Sequence, residues 1–316
     1  MPVVPANAQT IGDAAQALAR GDIVAFPTET VYGLGANALD GRAVARVFAA
    51  KERPRFNPLI VHVTDIAAAK RYAVFDATAR KLVESFWPGP LSLVLPKREG
   101  SGIAELVTAG LDTIALRAPN HKVAQALLAA AKLPIAAPSA NRSGRISPTL
   151  AAHVEAELDD IPAMILDGGP CQLGIESTVI SVAGRTPLLL RLGAVPRETI
   201  EAVIGQKLAL VETDTPIAAP GQLERHYAPN TPLRLGATDV RPGEALLAFG
   251  PDVPSGASTS INLSPSGDLQ EAAANLFATL RALDDAGARA IAVMPIPNSG
   301  LGEAINDRLQ RAAKAR

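Results

Sequence analysis

Scarcity is the first informative feature of this chain. Cys171 is its only cysteine, which excludes an internal disulfide and a cysteine-based zinc site and leaves packing as its expected role. Aromatic residues make up 3%, so the core must be built from Ala, Val, Leu and Ile, and few rings are available to stack bases. Neither sign of charge dominates. A formal net charge of -1 argues against a protein that coats nucleic acid, while leaving room for a local basic pocket. No apolar run approaches the ~20 residues of a membrane helix. Met1 to Thr10 has neither the basic start nor the sustained apolar segment of a secretory leader, so a cytoplasmic protein is expected. The sequences G-x-x-x-x-G-K-[ST], H-E-x-x-H and G-x-S-x-G are absent, which removes the main support for the common nucleotidase, zinc-protease and esterase readings.

What is present suits a globular α/β protein of two domains: 316 residues, 48% hydrophobic and 19% charged. The chain is organised around Ile23 to Ala36, IVAFPTETVYGLGA. Ile23 to Phe26 reads as a strand that Pro27 stops. The loop after it carries Thr28, Glu29, Thr30 and Tyr32, and Gly33 and Gly35 are expected to let the backbone bend close to a ligand. The same residue types also build ordinary surface turns. KERPRFNPL, Lys51 to Leu59, squeezes three cations, two prolines and an Asn between a helix and the apolar strand Leu59 to Val63. It reads as a stiff connection presenting Lys51, Arg53, Arg55 and Asn57 in fixed directions, which suits an anion. His62 lies inside the apolar strand LIVHV, where a hydrogen-bonded core histidine and a ligand are both open.

Further on, TIALR (Thr113 to Arg117) is a strand ending in a cation. A short strand at Ile135 to Ala137 leads into PSANRSGRISPT (Pro138 to Thr149), whose small hydroxyls and two arginines suit phosphate or ribose oxygens; a floppy loop is the other reading. GIESTVI puts Glu176, Ser177 and Thr178 at a strand start, and Arg191 ends the strand from Leu188. These features outline an α/β domain over 1–205 with one candidate site. Residues 206–229 read as an interdomain connection, although ERHYAPN (Glu224 to Asn230) packs more chemistry than a spacer needs. Over 230–316, apolar runs at Ala245 to Phe249 and Ala290 to Met294 bracket a helix from Leu269 to Ala286, the pattern of a small parallel α/β unit.

A pocket rich in Arg, Lys, Ser and Thr but poor in general bases fits phosphoryl chemistry, in which positioning and charge neutralisation carry most of the catalysis. Five ordered motifs then carry a resemblance: PTETVYGLG, KERPRFNPL, PGPLSLVL (Pro88 to Leu95), PSANRSGRISPT and GIESTV. Together they resemble the YrdC-like threonylcarbamoyl-AMP synthases, and the HYAP tail resembles the long, two-domain form. The resemblance implies a twisted, mostly parallel sheet with flanking helices around a positively charged cavity, plus a smaller Rossmann-like C-terminal domain. It also implies a reaction in which L-threonine, bicarbonate or CO2, and ATP give threonylcarbamoyl-AMP and pyrophosphate. Downstream tRNA threonylcarbamoyl transferase proteins would then modify an adenosine beside the anticodon.

Carried over position by position, the resemblance implies that Arg53, Asn57, Thr113, Ser139, Ser147 and Arg191 contact ATP. Lys51 would join Arg53 in neutralising phosphate charge during the reaction. Thr30, His62, Arg117, Ser177 and the backbone near Ala137 would hold threonine, and Tyr227 would close over ATP as a lid. Mg2+ would come with the triphosphate, since no dedicated carboxylate set stands out. Two departures from the family pattern are Arg191-Leu192-Gly193 where R-P-G is usual, which bears on the aim of Arg191, and Ala219-Pro220-Gly221-Gln222 where S-P-G-M is usual, which bears on the lid. The alternatives are an RNA-binding module that grips a phosphate backbone without chemistry, with a weak RNA contact as its milder form, and a carbamoyl-adenylating enzyme using carbamoyl phosphate. Relatives of the latter kind carry zinc-finger cysteine pairs that this chain lacks.

Overall fold

The computed structural model describes residues 2–159, 161–210 and 226–314. The stretch 211–225, which holds most of the expected interdomain connection and its Ala219-Pro220-Gly221-Gln222 departure, lies outside the described residues. Two sheets organise the rest, one of eleven strands and one of four. From edge to edge the large sheet runs Val3–Pro5, Met164–Asp167, Val24–Phe26, Gly33–Asn37, Ile135–Ala136, Ile60–His62, Thr113–Arg117, Leu91–Pro96, Thr178–Ser181, Leu188–Arg191 and Ala209–Leu210.

This sheet is mixed rather than mostly parallel. Five neighbouring pairs are parallel and five antiparallel. Connection length accounts for part of this, because a parallel neighbour needs a crossover whereas a short loop returns the chain antiparallel; Ile135–Ala136, by contrast, is antiparallel to both of its neighbours across long connections. Residues 27–32 are a short loop of this kind. Gly33–Asn37 turns straight back along Val24–Phe26, with Phe26 opposite Gly33 and Val24 opposite Gly35. Both glycines are therefore strand residues and not the expected bend.

Helices cover the sheet on both sides. The first runs Ala8–Ala19 and is capped by Asn7, whose side chain accepts from the Thr10 backbone N–H while the Thr10 hydroxyl answers the Asn7 N–H. Thr10 is thus the return partner of a capping box. Gly41–Lys51 is capped by Asp40 as its sequence implies, and its Val44, Val47 and Phe48 enter the main core. Cys171 is also buried in that core as a free thiol. No helix among the described residues is long and apolar enough to cross a membrane.

The small sheet is parallel throughout, in the order Leu233–Arg234, Ala290–Val293, Glu244–Ala248 and Ser260–Asn262. The helix Leu269–Asp285 connects two of these strands, and the helix Leu301–Ala313 follows the last. Their apolar faces do more than fill their own core. One hydrophobic cluster joins Val31, Ile146, Ile175 and Tyr227 to Phe277, Leu280, Ile305 and Leu309. The two halves therefore share one packed apolar contact, to which the PTETV, PSANRSGRISPT and GIEST segments each contribute a residue.

Candidate active site

The polar strand ends converge. One cavity is lined by Thr28, Thr30, Arg53, His62, Arg117, Ala137, Ser139, Glu176, Ser177, Arg191, His226 and Tyr227, among others. Nine of the sequence-expected residues lie on its wall: Thr30, Arg53, His62, Arg117, Ala137, Ser139, Ser177, Arg191 and Tyr227.

Sheet register explains how distant residues meet. Ile60–His62 and Thr113–Arg117 are parallel neighbours with His62 beside Arg117, so both side chains emerge at the same end. Arg117 is 3% exposed. Its Nη1 donates to Thr30 Oγ1 at 3.0 Å and its Nε to the Gly89 carbonyl at 3.3 Å. Its Nη2 lies 2.7 Å from Glu29 Oε1. That last contact is a close ion pair with poor hydrogen-bond angles, since neither Glu29 oxygen has an aligned donor. Thr28 and Thr30 hydroxyls are 2.9 Å apart on the same wall. Tyr32, by contrast, turns away: its hydroxyl donates to the Gly169 carbonyl at 2.8 Å, and it is a core residue rather than a site group.

The KERPRF segment is stiff, as its prolines imply, and it alternates. Lys51, Arg53 and Asn57 are buried and Arg55 is exposed. Lys51 does not line the cavity itself. Its Nζ donates to the Ser139 carbonyl at 2.6 Å and to the Asn141 carbonyl, tying this segment to PSAN. Arg53 donates to the carbonyls of Asn57 at 3.1 Å and Pro58 at 2.9 Å. The Asn57 side-chain amide is buried without a partner at either atom, a state that usually signals a missing ligand or water. Thr113 is off the cavity wall, at the opposite end of its strand from Arg117, about 13 Å away by strand rise. It shares the sheet face of Ala115 and Arg117, where Ile60, Val94, Ala115, Val179 and Leu190 form an apolar patch.

Arg191 Nη2 donates to the Ser177 carbonyl at 2.7 Å and to its hydroxyl at 3.0 Å, and the Ser177 and Ser92 hydroxyls are 2.8 Å apart. Gly193 makes this possible. A Cβ there would lie 2.4 Å from the backbone of Ser177 and Thr178, a distance that side-chain adaptation cannot relieve. Gly193→Ala is expected to cost about 2–3 kcal/mol and to weaken ligand binding at Ser177; a urea midpoint equal to wild type would refute the crowding argument. Ser147, behind the wall, donates to Glu176 Oε1 at 2.5 Å.

The electrostatics follow from cations crowded in a buried space. Burial first, and Arg53 next, push the Lys51 ammonium well below its ordinary value. Burial and then Arg191 bring Arg53 down to about 9. His226, 8% exposed, is pushed well below its usual range by burial and then by Lys51, Arg53, Arg308 and Arg191. Among the described residues, no group of three or more His, Cys, Asp or Glu could hold a metal ion.

Sequence reasoning named Glu29 and Glu176 within their motifs but gave neither a role, and their burial beside arginines appears only in the fold. Arg308 and Phe277 carried no local signal.

Comparison with known proteins sharpens the picture. Residues 16–193 match the Sua5/YciO/YrdC family, described as "Telomere recombination". The chain belongs to this family. Residues 195–314 match a second family, described as the C-terminal domain of threonylcarbamoyl-AMP synthase. The threonylcarbamoyl-AMP synthase of Bacillus subtilis is 41% identical over 329 residues, spanning 98% of this chain and 94% of that one. The synthase of Pyrococcus abyssi is 42% identical over 318 residues, 95% and 93% of the two chains. The crystal structure of P. abyssi Sua5 complexed with L-threonine superposes with a TM-score of 0.91 at 38% identity, covering 99% of this chain and 98% of that one.

Proposed function

We propose that this chain is a threonylcarbamoyl-AMP synthase, a nucleotidyltransferase acting on L-threonine, bicarbonate or CO2, and ATP. The observation that carries the proposal is the convergence of Arg53, Arg117 and Arg191, from three separated segments, on one cavity shared with Thr30, His62, Ser177 and Tyr227. Full-length similarity to proteins of that name supports it.

In this reading the Arg117 end is the threonine subsite. A guanidinium has five N–H donors, and the three contacts described above leave two to meet the amino acid carboxylate. Thr30, His62, Ser177 and the Ala137 backbone complete that subsite. The threonine amine attacks CO2 to give a carbamate, losing a proton. A carbamate oxygen then attacks the α-phosphorus of ATP, and the bond from that phosphorus to the α,β-bridging oxygen breaks, so that the bridging oxygen leaves on pyrophosphate. Two anions must approach each other, so the crowded Lys51, Arg53 and Arg191 supply the counter-charge; this is the sense in which the cavity is read as positive.

The apolar patch leading to Thr113 would seat the base and ribose, with Asn57, Ser139, Ser147 and Tyr227 as further nucleotide contacts. An extended nucleoside triphosphate accounts for the separation of Thr113 from Arg117. Mg2+ would arrive on the triphosphate and screen its charge, and Glu176 is the carboxylate nearest to hand. The wholly parallel small sheet with its two helices supports a Rossmann-like C-terminal unit over 230–316, with 1–205 as the catalytic domain; of the connection over 206–229, the described His226 and Tyr227 lie on the cavity wall. We assign the reaction to the cytoplasm, ahead of the proteins that transfer the product to tRNA.

The RNA-binding reading fares worse, because Arg53, Arg117 and Arg191 are 8%, 3% and 7% exposed, too deep for a phosphate backbone to reach. Incubation with ATP and bicarbonate is expected to release pyrophosphate only when L-threonine is added. Release driven equally by carbamoyl phosphate without threonine would move the assignment to the carbamoyl-adenylating class.

A further inference from the structure

Arg308, on the helix Leu301–Ala313, belongs to the small-sheet half of the molecule, yet it is 0% exposed and is the largest of the fully buried side chains. Its Nε donates to Glu176 Oε2 at 3.0 Å, its Nη2 to the Leu192 carbonyl at 2.7 Å and its Nη1 to Asp307 Oδ2 at 2.7 Å. The guanidinium carbon also stands over the Tyr227 ring, 5.0 Å from its centre. One side chain thus touches a cavity-wall carboxylate, the backbone between Arg191 and Gly193, and the expected lid.

The neighbours of these contacts come from the same half. Tyr227 has φ +65°, a left-handed backbone that a non-glycine residue holds only under outside constraint. The constraint is visible: its ring stacks on Phe277 with centroids 5.5 Å apart and planes at 23°, and Arg308 closes the other contact. The GIES segment is gripped residue by residue. Gly174 lies so close to the helix Leu269–Asp285 that a Cβ would fall 2.4 Å from the Ala274 carbonyl oxygen. Ile175 enters the shared apolar cluster, and Glu176 takes Arg308 on one oxygen and Ser147 on the other. Ser177, next in line, is on the cavity wall.

We propose that Arg308 is a positioning residue for the nucleotide side of the site, contributed by the C-terminal half, which fixes Tyr227, Glu176 and through it Ser147 in the arrangement that accepts ATP. The inference rests on the synthase reading above and assigns the C-terminal half a direct part in it. The contacts are directional as well as electrostatic. A guanidinium can donate to Glu176 and the Leu192 carbonyl at once while its face covers the tyrosine ring; an ammonium keeps the charge but loses the fork. Without Arg308, the other buried guanidinium acting on Glu176 is that of Arg191, on the cavity wall, so the carboxylate would turn inward to where phosphate is expected.

The test is steady-state kinetics of threonine-dependent pyrophosphate release by the full chain, alongside Arg308→Lys and the paired Arg308→Met, Glu176→Gln, which leaves no lone buried charge. Both variants should stay folded by thermal melting. The expected result is a KM for ATP raised about tenfold or more in the pair and less in Arg308→Lys, with the KM for threonine within about twofold of wild type. Equal rises in both KM values, or a wild-type KM for ATP in the paired variant, would overturn the proposal by reducing Arg308 to an interdomain clamp. A wild-type chain that releases no pyrophosphate with threonine would instead fail the synthase reading itself, and the inference with it.

Discussion

Arg117→Ala is expected to lower threonine affinity by at least about a hundredfold while changing ATP affinity little, because the lost group is the one charge-matched donor at that end of the cavity. The same substitution should also destabilise the ligand-free protein by about 3–5 kcal/mol, the usual cost of stranding a buried charge. Glu29 is the residue stranded: it is 3% exposed, and its carboxylate oxygens have no aligned hydrogen-bond donor. The two effects can be separated. Adding Glu29→Gln should restore much of the melting temperature of Arg117→Ala without restoring threonine binding. Calorimetric titration with each substrate and a thermal melt decide the matter; equal losses of threonine and ATP affinity would show that Arg117 is misassigned.

Mild acid should unfold the empty protein unusually early. The chain has four histidines, and all four hold their protons less tightly in the fold than free in solution. His62 is lowered to about 3 by burial and then Arg117, and His226 far down by burial and the surrounding cations. His153 falls to about 4 through burial and then Arg281, and His121 is lowered by burial, with Glu29 opposing. The unfolded chain takes up these protons below pH ~6.5 and the folded chain refuses them. Stability is therefore complete above about pH 6.5 and falls as the pH drops from there toward the folded values.

For fully buried His62 and His226 alone the slope approaches about 1.4 kcal/mol per pH unit each; the more exposed pair adds a smaller amount of the same sign. Glu176 contributes lower down. Burial would raise its carboxyl, but Arg308, Arg191 and Ser147 outweigh that and hold it below 4.5, so its share is present above that pH and lost beneath it. Urea midpoints measured from pH 7.5 to 5 should decline steeply, and His226→Phe should flatten the curve. Saturating ATP should flatten it as well, since a triphosphate would cancel the cations that depress His226. Midpoints that stay level across this range would refute the account.

On the sequence, which reads as two units with a connection, cutting the chain after residue ~205 should leave a folded first domain with impaired turnover. The shared cluster changes that expectation, because truncation would expose Val31, Ile146 and Ile175, each within or beside a site motif. A shortened chain should therefore lose ligand affinity as well as any lid action of Tyr227.

Short-range chemistry was enough to draw much of this molecule. Pro54 and Pro58, following Arg53 and Asn57, stiffen their segment; an aspartate before Gly41 starts a helix; Val, Ile and Leu runs make strands whose polar ends stand at one edge of a core. These properties are local, so the residues declare them wherever they occur, and the five motifs add a resemblance that points to the same groups. Tyr32 shows the limit, since its hydroxyl donates to the Gly169 carbonyl 137 positions away and nothing local announces that partner.

Contacts between residues far apart in the chain were decided by the fold alone. Arg117 and Glu29, or Arg308 and Glu176, have no local pattern that pairs them, and the latter are 132 positions apart. Strand direction was settled the same way at Ile135–Ala136, which is antiparallel to both sheet neighbours although neither directly precedes or follows it in the chain. Burial then turned ordinary lysines, arginines and histidines into a strained cluster of cations, because a charge loses its water only when other parts of the chain close around it.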